Sequence, residues 1–438
     1  MKFRLFAAFG FAALVGGVLT APNAALAQSD EVYSGVTTCA NSQCHGAATV
    51  NPDSRVNRNE FTVWHDKDPH SKSYKSLQSD RAKRIASNLN LGEATQAPLC
   101  LSCHANNVAP ENRAPDFDIT EGVTCEVCHG SSVLWLGPHR LPDRFSHTQL
   151  VDLGLFPTND PAKRADMCLD CHFGAEDQFA NHRIFGAGHP RITFELDSYT
   201  WINAHHTADQ DYFERKDVAD GVRTWAVGAA KMIERRMTLL ANDQTGTNGF
   251  FPEFAFFDCN TCHHRMSDLR YKPRNTGVAP GTPKLDDSHM TVLMVALGRA
   301  DPALADSLRS QMLALHKSST VGRGQLVAET NRMKELAAQA AASIGSYEMT
   351  GDDMRAVLGA LVDKGSSGNV IDFASAEQTA LVVGATIDAL EQGGHISGAE
   401  GEALFAELGK AYDAINDDEK FRPDQFASAM KSLKAAIR

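Results

Sequence analysis

Ten cysteines, with the histidines beside them, are the residues of this chain best suited to chemistry. They form five close pairs, and the second cysteine of every pair is followed at once by a histidine. Four pairs have the spacing Cys-x-x-Cys-His, whereas the first has four residues between its cysteines. The cysteines are Cys39, Cys44, Cys100, Cys103, Cys125, Cys128, Cys168, Cys171, Cys259 and Cys262, and the histidines are His45, His104, His129, His172 and His263.

This pattern is typical of covalent haem attachment. Two thiols about one helical turn apart can reach the two vinyl groups of one haem, and the next histidine then lies under the iron as its proximal ligand. Structural zinc and disulfide bonds are the alternatives for paired cysteines in a secreted chain. Neither explains a histidine after all five pairs. The sequence therefore predicts five covalently attached haem c groups.

The remaining histidines are candidates for the second axial ligand of each iron. The chain has 17 histidines, so twelve remain, and ten of these lie between His65 and His289. We predict bis-histidine coordination throughout, which leaves no open position on the iron and suits electron transfer. The candidates are His70, His139, His189 and His289, with the fifth to be chosen among His182, His205 and His206. Met167 and Met266 lie near motifs, but the surplus of histidine makes them unnecessary as ligands.

The first residues predict secretion. Lys2 and Arg4 precede an apolar run that is too short to span a membrane, and Ala25-Leu26-Ala27 has the small residues of a cleavage site. We interpret residues 1–27 as a signal peptide and expect the mature protein in the periplasm. No later stretch has the length and apolarity of a membrane span.

Two regions must position the motifs, and both are predicted to be mainly α-helical. Residues 28–290 are rich in Gly, Pro, Asn and Asp, as expected of a loop-rich multihaem cytochrome c domain whose core is filled by porphyrin. Its one long predicted helix, over residues 218–240, has the pattern of a core helix. For residues 291–438 we predict an α-helical bundle of five or six helices. Its helix-start signals are Asp301-Pro302, Thr350 with Asp353, Ser397 with Glu400, and Pro423.

The formal net charge of −12 limits the classes of partner. An acidic chain is a poor nucleic-acid binder, and it is steered towards proteins with basic docking patches. We therefore expect redox proteins as partners and no nucleic acid.

The haem region resembles the multihaem cytochrome superfamily that includes hydroxylamine-oxidation electron carriers and pentahaem nitrite reductases. The resemblance lies in Tyr33-Ser34-Gly35, in Trp64 followed by His70, and in the stretch Gly122–Gly130, and it spans residues 31 to 270. It implies that His70 and His139 are distal ligands and that the haems stack closely into a wire. Two features depart from the family: the wider first motif, and the absence of the Cys-x-x-Cys-Lys motif that marks the catalytic haem of the nitrite reductases.

Three functions fit these observations. The first is a periplasmic relay between a quinol-oxidising or dehydrogenase donor and a terminal reductase. The second is an oxidoreductase acting on a small nitrogen or sulfur oxyanion at one five-coordinate haem, with arginines such as Arg113, Arg140, Arg183 and Arg191 binding the anion. The third is a structural or assembly subunit that docks through its helical tail. The ligand supply favours a carrier over a catalyst.

Overall fold

The computed structural model describes residues 32–50, 57–202, 204–205, 218–247, 249–264 and 276–437. The predicted signal peptide, His206 and Met266 lie outside these residues. The fold is mainly α-helical, as predicted. The described part of the chain contains seventeen α-helices and no named strand, with isolated bridges such as Tyr33–Arg113.

The haem region contains short helices. None of the nine before residue 203 is longer than 12 residues among those described. They are α1 (Glu60–Lys67), α2 (Ser73–Ser76), α3 (Asp80–Leu89), α4 (Pro98–His104), α5 (Cys125–His129), α6 (His147–Asp152), α7 (Pro161–His172), α8 (His182–Gly186) and α9 (Leu196–Ile202).

Three of these helices carry a haem motif at their carboxyl end. Helices α4, α5 and α7 each end on the proximal histidine of their motif. Helix α7 begins where it does because Asp160 accepts hydrogen bonds from two first-turn amides and Pro161 occupies the first position. The fifth motif instead starts with the 3-10 turn Cys259–Thr261.

A glycine lets two parts of the haem region approach closely. Gly122 has a φ of 83°, and a Cβ there would lie 2.6 Å from the carbonyl oxygen of His70. The same His70 oxygen accepts a hydrogen bond from Val123 N at 3.1 Å. Since only glycine fits this position without strain, Gly122 fixes the third motif against the turn that carries His70.

The helical tail contains the largest core of the protein. Helix α10 (Gly221–Ala241), the long core helix predicted from sequence, packs into it, with Trp225 1 % exposed. This core is continuous from Val222 to Leu433, so helix α10 joins a core that the predicted boundary at residue 290 assigns to the tail. The later helices are α11 (Ser288–Ala300), α12 (Pro302–Ser318), α13 (Arg323–Ser346), α14 (Gly351–Ser366), α15 (Phe373–Gln392), α16 (Gly398–Ala414) and α17 (Pro423–Ala436).

The helix starts predicted for the tail are confirmed. Asp301 caps α12, and Thr350 with Asp353 forms the reciprocal capping box of α14. Ser397 caps α16, and Pro423 opens α17. None of the helices in the described residues combines the length and apolar character needed to cross a bilayer.

Candidate haem sites

The thiols of all five motifs lie in the described residues, and none of them is joined in a disulfide. Eight are partly buried, whereas Cys259 and Cys262 of the fifth motif are exposed. No group of three or more His, Cys, Asp or Glu side chains converges as a metal site in the described part of the chain. The paired thiols remain available for thioether bonds.

Each proximal histidine faces one other histidine, and each of the five pairs is distinct. The ring centroids are 6.0–6.5 Å apart in every pair. The pairs are His45 with His139, His104 with His189, His129 with His205, His172 with His70, and His263 with His182.

This spacing is the one that an iron between two imidazoles requires. A histidine nitrogen bonds a metal at about 2.0 Å and lies about 1.1 Å from its ring centre, so two axial rings have centroids about 6.2 Å apart. Rings in direct stacking contact would be closer. The residues present therefore fit a haem iron between the rings of each pair.

Hydrogen bonds orient several of these rings through Nδ1 and leave Nε2 for the iron. His45 Nδ1 lies 2.9 Å from Glu60 Oε2, and His104 Nδ1 lies 3.1 Å from the carbonyl oxygen of Ser73. On the opposite side, His139 and His189 engage the carbonyls of Leu136 (2.5 Å) and Pro190 (2.7 Å). Such outer contacts fix the tautomer and the ring orientation of a metal-bound histidine.

One buried carboxylate serves two candidate distal ligands. Asp68, 4 % exposed, places Oδ1 3.0 Å from His70 Nδ1 and Oδ2 3.9 Å from His205 Nδ1. Burial acts to raise the pKa of Asp68, but the hydrogen bonds from His70 outweigh it and the pKa is lowered. Asp68 therefore stays ionised and holds rings that belong to the third and fourth motifs.

The most deeply buried proximal rings are neutral. Burial lowers the pKa of His129 and of His172 to about 4, and the facing histidine adds to each shift. Only the neutral imidazole has a lone pair for a metal. At neutral pH both rings are therefore in the form that binds iron.

Residues 38–130 match the protein family described as cytochrome c554 and c-prime. This segment is about a fifth of the chain and contains the first three motifs, including the widely spaced one. The match supports a c-type cytochrome. Haem c is the covalent cofactor of that class, and its members exchange electrons with redox partners. Comparisons with curated proteins and with solved structures found no match.

The cysteines of four of the motifs form a row. Glu126 of the third motif accepts a hydrogen bond from Gly35 N, close to the first motif, at 3.0 Å. Cys171 Sγ of the fourth motif lies 3.8 Å from the carbonyl oxygen of Ser102 in the second. Burial raises the pKa of Cys128 to about 12, with the neighbouring Cys168 thiol adding to the shift. The motifs thus follow one another in the order first, third, fourth and second.

The fifth motif adjoins the fourth through the chain segment 191–194. The Phe194 ring lies 6.0 Å from the ring of His172. The Arg191 guanidinium, a few residues earlier, lies near enough to the Cys259 thiol to interact with its charge. This segment therefore links the row of four motifs to the fifth.

A buried polar network joins the fifth motif to the helical tail. The Lys284 side chain, 4 % exposed, reaches Asp287 at 2.6 Å, Asp372 at 3.6 Å and Asp258 at 3.7 Å. Asp258 precedes Cys259, and Asp372 caps α15. Asn260, inside the motif, accepts a hydrogen bond from Phe373 N at 2.6 Å. The tail therefore takes part in shaping the fifth haem site.

The candidate distal ligands divide clearly. His70, His139, His182, His189 and His205 each face a proximal ring, whereas His289 does not. His289 is buried with Nε2 3.2 Å from the carbonyl oxygen of Phe194 and Nδ1 3.2 Å from Ser288 Oγ. Both of its nitrogens have protein partners, so His289 is better read as a core histidine. Helix α11 begins one residue before His289 and places its ring between Phe194 and Ser288.

The arginines considered for anion binding have other contacts or lie at the surface. Arg113 donates to the carbonyl of Val108, and Arg191 lies 2.5 Å from Glu377 Oε1. Arg140 and Arg183 are exposed.

Proposed function

We propose that the protein is a periplasmic electron-transfer relay that holds five haem c groups, each between two histidines. The observation that carries the proposal is the set of five facing pairs, one for every proximal histidine, at the spacing of axial ligands. Haem c, when bound, supplies an iron that accepts and releases single electrons.

The chain's residues have three roles in this relay. The cysteines tether each porphyrin through thioethers, and the histidines fill both axial positions so that no substrate site is left on the iron. Carboxylates such as those of Glu60 and Asp68, together with backbone carbonyls, hold the rings in place. A quinol-oxidising or dehydrogenase protein would be the donor and a terminal reductase the acceptor.

The adjacency of the motifs supports a relay rather than isolated redox centres. The first, third, fourth and second motifs are neighbours in turn, and the fifth adjoins the fourth. Attachment points this close hold the cofactors within range for electrons to pass along the row.

The test is the low-temperature EPR spectrum of the oxidised holoprotein, with the haem content measured as the pyridine haemochrome. We expect five haems per chain, all low-spin. Perpendicular axial rings leave two iron d orbitals nearly equal in energy and so enlarge the g anisotropy, whereas parallel rings separate them. Ring planes at 77–90° in three pairs, and at 17° and 31° in the other two, predict three strongly anisotropic signals and two rhombic ones.

A matched pair of variants tests the ligand assignment. His182→Ala should convert one low-spin haem per chain to high-spin, whereas His289→Ala should leave all five low-spin. A stoichiometric high-spin signal in the unmodified protein would overturn the relay. It would favour the oxidoreductase instead, with nitrite, hydroxylamine and sulfur oxyanions as the substrates to try.

A further inference from the structure

A strongly basic stretch lies within this acidic chain. Residues 67–84 contain six basic and two acidic side chains, a net charge of +4, whereas the whole chain carries −12. Five of the basic side chains, on the turn before α3 and on α3 itself, are exposed and form what we call the basic face. They are Lys72, Lys75, Arg81, Lys83 and Arg84.

The basic face covers the second haem motif. Ser76, within the same stretch, places Oγ 3.0 Å from His104 Nδ1. Arg81 Nε donates to the carbonyl of Gly188 at 3.1 Å, directly before the facing ligand His189. The inner side of the stretch packs Leu77 against Cys100 and its neighbours. Helices α2 and α3, which carry most of the basic face, therefore contact both sides of the second pair.

The opposite end of the row of motifs has the opposite charge. Near the first motif, residues 111–126 contain five acidic side chains and one basic, a net charge of −4. Glu121 and Glu126 in this stretch accept hydrogen bonds from the amides of Val36 and Gly35, just before Cys39. Glu126 is buried and Glu121 is half-buried, whereas Glu111, Asp116 and Asp118 are exposed. The first and second motifs end the row of four, so its two ends offer surfaces of opposite charge to a partner.

We infer that the basic face is the docking surface for an acidic redox protein that exchanges electrons at the second motif. The inference rests on the proposed function, because the second motif must carry haem. One electron passes between the partner and one haem iron, so that either is oxidised as the other is reduced. Charges at the rim of a contact raise the rate of encounter and orient the partner. Basic side chains also attract anionic lipid, but their place over a histidine pair favours a redox protein.

The test measures how fast a reduced flavodoxin, an acidic one-electron flavoprotein, reduces the oxidised holoprotein in a stopped-flow instrument. The test variant is Lys72→Glu/Lys75→Glu/Lys83→Glu. The control is Lys317→Glu/Lys420→Glu/Lys431→Glu, which makes the same charge change on exposed lysines of the tail. At low ionic strength we expect the test variant to react about tenfold more slowly than the control, and the difference to vanish in high salt.

Three outcomes would overturn the inference. If both variants were reduced equally slowly, the net charge of the protein would explain the effect. If the test variant were reduced at the unmodified rate, the basic face would have no role in docking. The third is loss of binding to anionic phospholipid vesicles in the test variant while its flavodoxin rate is unchanged, which would make the face a lipid contact. Two further measurements distinguish failure of the docking inference from failure of the proposed function. They are the haem count and the rate of reduction by a small uncharged quinol. If the unmodified protein lacks five haems the relay fails, whereas five haems and equal quinol rates leave only the docking surface in question.

Discussion

The haem region and the helical tail are both helical, but they fill their interiors differently. Between residues 32 and 205, buried apolar side chains form only small clusters, such as those around Leu77 and Leu169. The tail, together with helix α10, has one continuous core from Val222 to Leu433. In the first region histidine rings face one another across gaps of iron-ligand size, whereas in the second aliphatic side chains close on each other.

One chain can therefore form a core in two ways. Large apolar porphyrin plates can replace side-chain packing, and short helices then need only to present ligands to them. Close-packed aliphatic side chains stabilise the tail without a cofactor. The two regions should therefore depend on haem to different degrees.

The largest effect should come from withholding haem. We expect the full chain, made in a host without haem-attachment enzymes, to keep protected amides in helices α11–α17 and to lose protection before residue 205. Hydrogen exchange followed by mass spectrometry should show a difference of about a thousandfold or more, about 4 kcal/mol. Equal protection of the two regions would mean that the haem region has a core of its own, and the comparison would fail.

The second largest effect should come from breaking the buried Lys284 network, which joins the haem region to the tail. Lys284→Met leaves Asp258, Asp287 and Asp372 buried without their cation, which should lower the free energy of unfolding by about 3–5 kcal/mol. We expect denaturant unfolding to show this loss, and EPR to show a change in the signal of the His182–His263 pair.

Its control is Lys317→Met, at an exposed position of the tail, which should leave both readouts unchanged. If Lys284→Met altered all five haem signals alike, the network would support the whole haem region rather than the fifth motif.

The smallest effect should be a change in how the free energy of unfolding depends on pH. Burial, with Asp372 nearby, raises the pKa of Asp258 to about 7. The folded protein therefore keeps a proton that the unfolded chain releases near pH 4, so the free energy of unfolding falls as the pH rises from about 4 to 7.

Asp258→Asn removes this titration but keeps the oxygen that caps the turn at Asn260. We expect a flatter profile of unfolding free energy against pH, by about 1 kcal/mol, because Asp372 shares the proton. Asp306→Asn, on an exposed carboxylate, should leave the slope as it is. If Asp258→Asn left the slope of unfolding free energy against pH unchanged, another titrating group would have to cause the pH dependence.

The sequence predicts the local parts of the site better than the distant ones. Each proximal histidine is adjacent to its cysteine, so the motif alone identifies it. The facing histidines are far along the chain from their partners, and only the folded backbone decides that His182 rather than His289 faces His263.

The same reasoning applies to the fold. Caps such as Asp301 and Thr350 act within one helical turn, and they were read directly from the sequence. The sharing of helix α10 between the two regions depends on packing with helices more than fifty residues away. No periodicity in α10 itself could indicate which partner helices would cover it.

The hydrogen bond between Asn260 and the Phe373 amide has a consequence for how the protein is made. A chain is synthesised from its amino end, and its early parts fold first. The fifth motif gains this contact only when the residue 113 positions later has been made. Until then its two exposed cysteines lack the support of the tail. The surroundings of the fifth motif should therefore be completed only when helix α15 has been made.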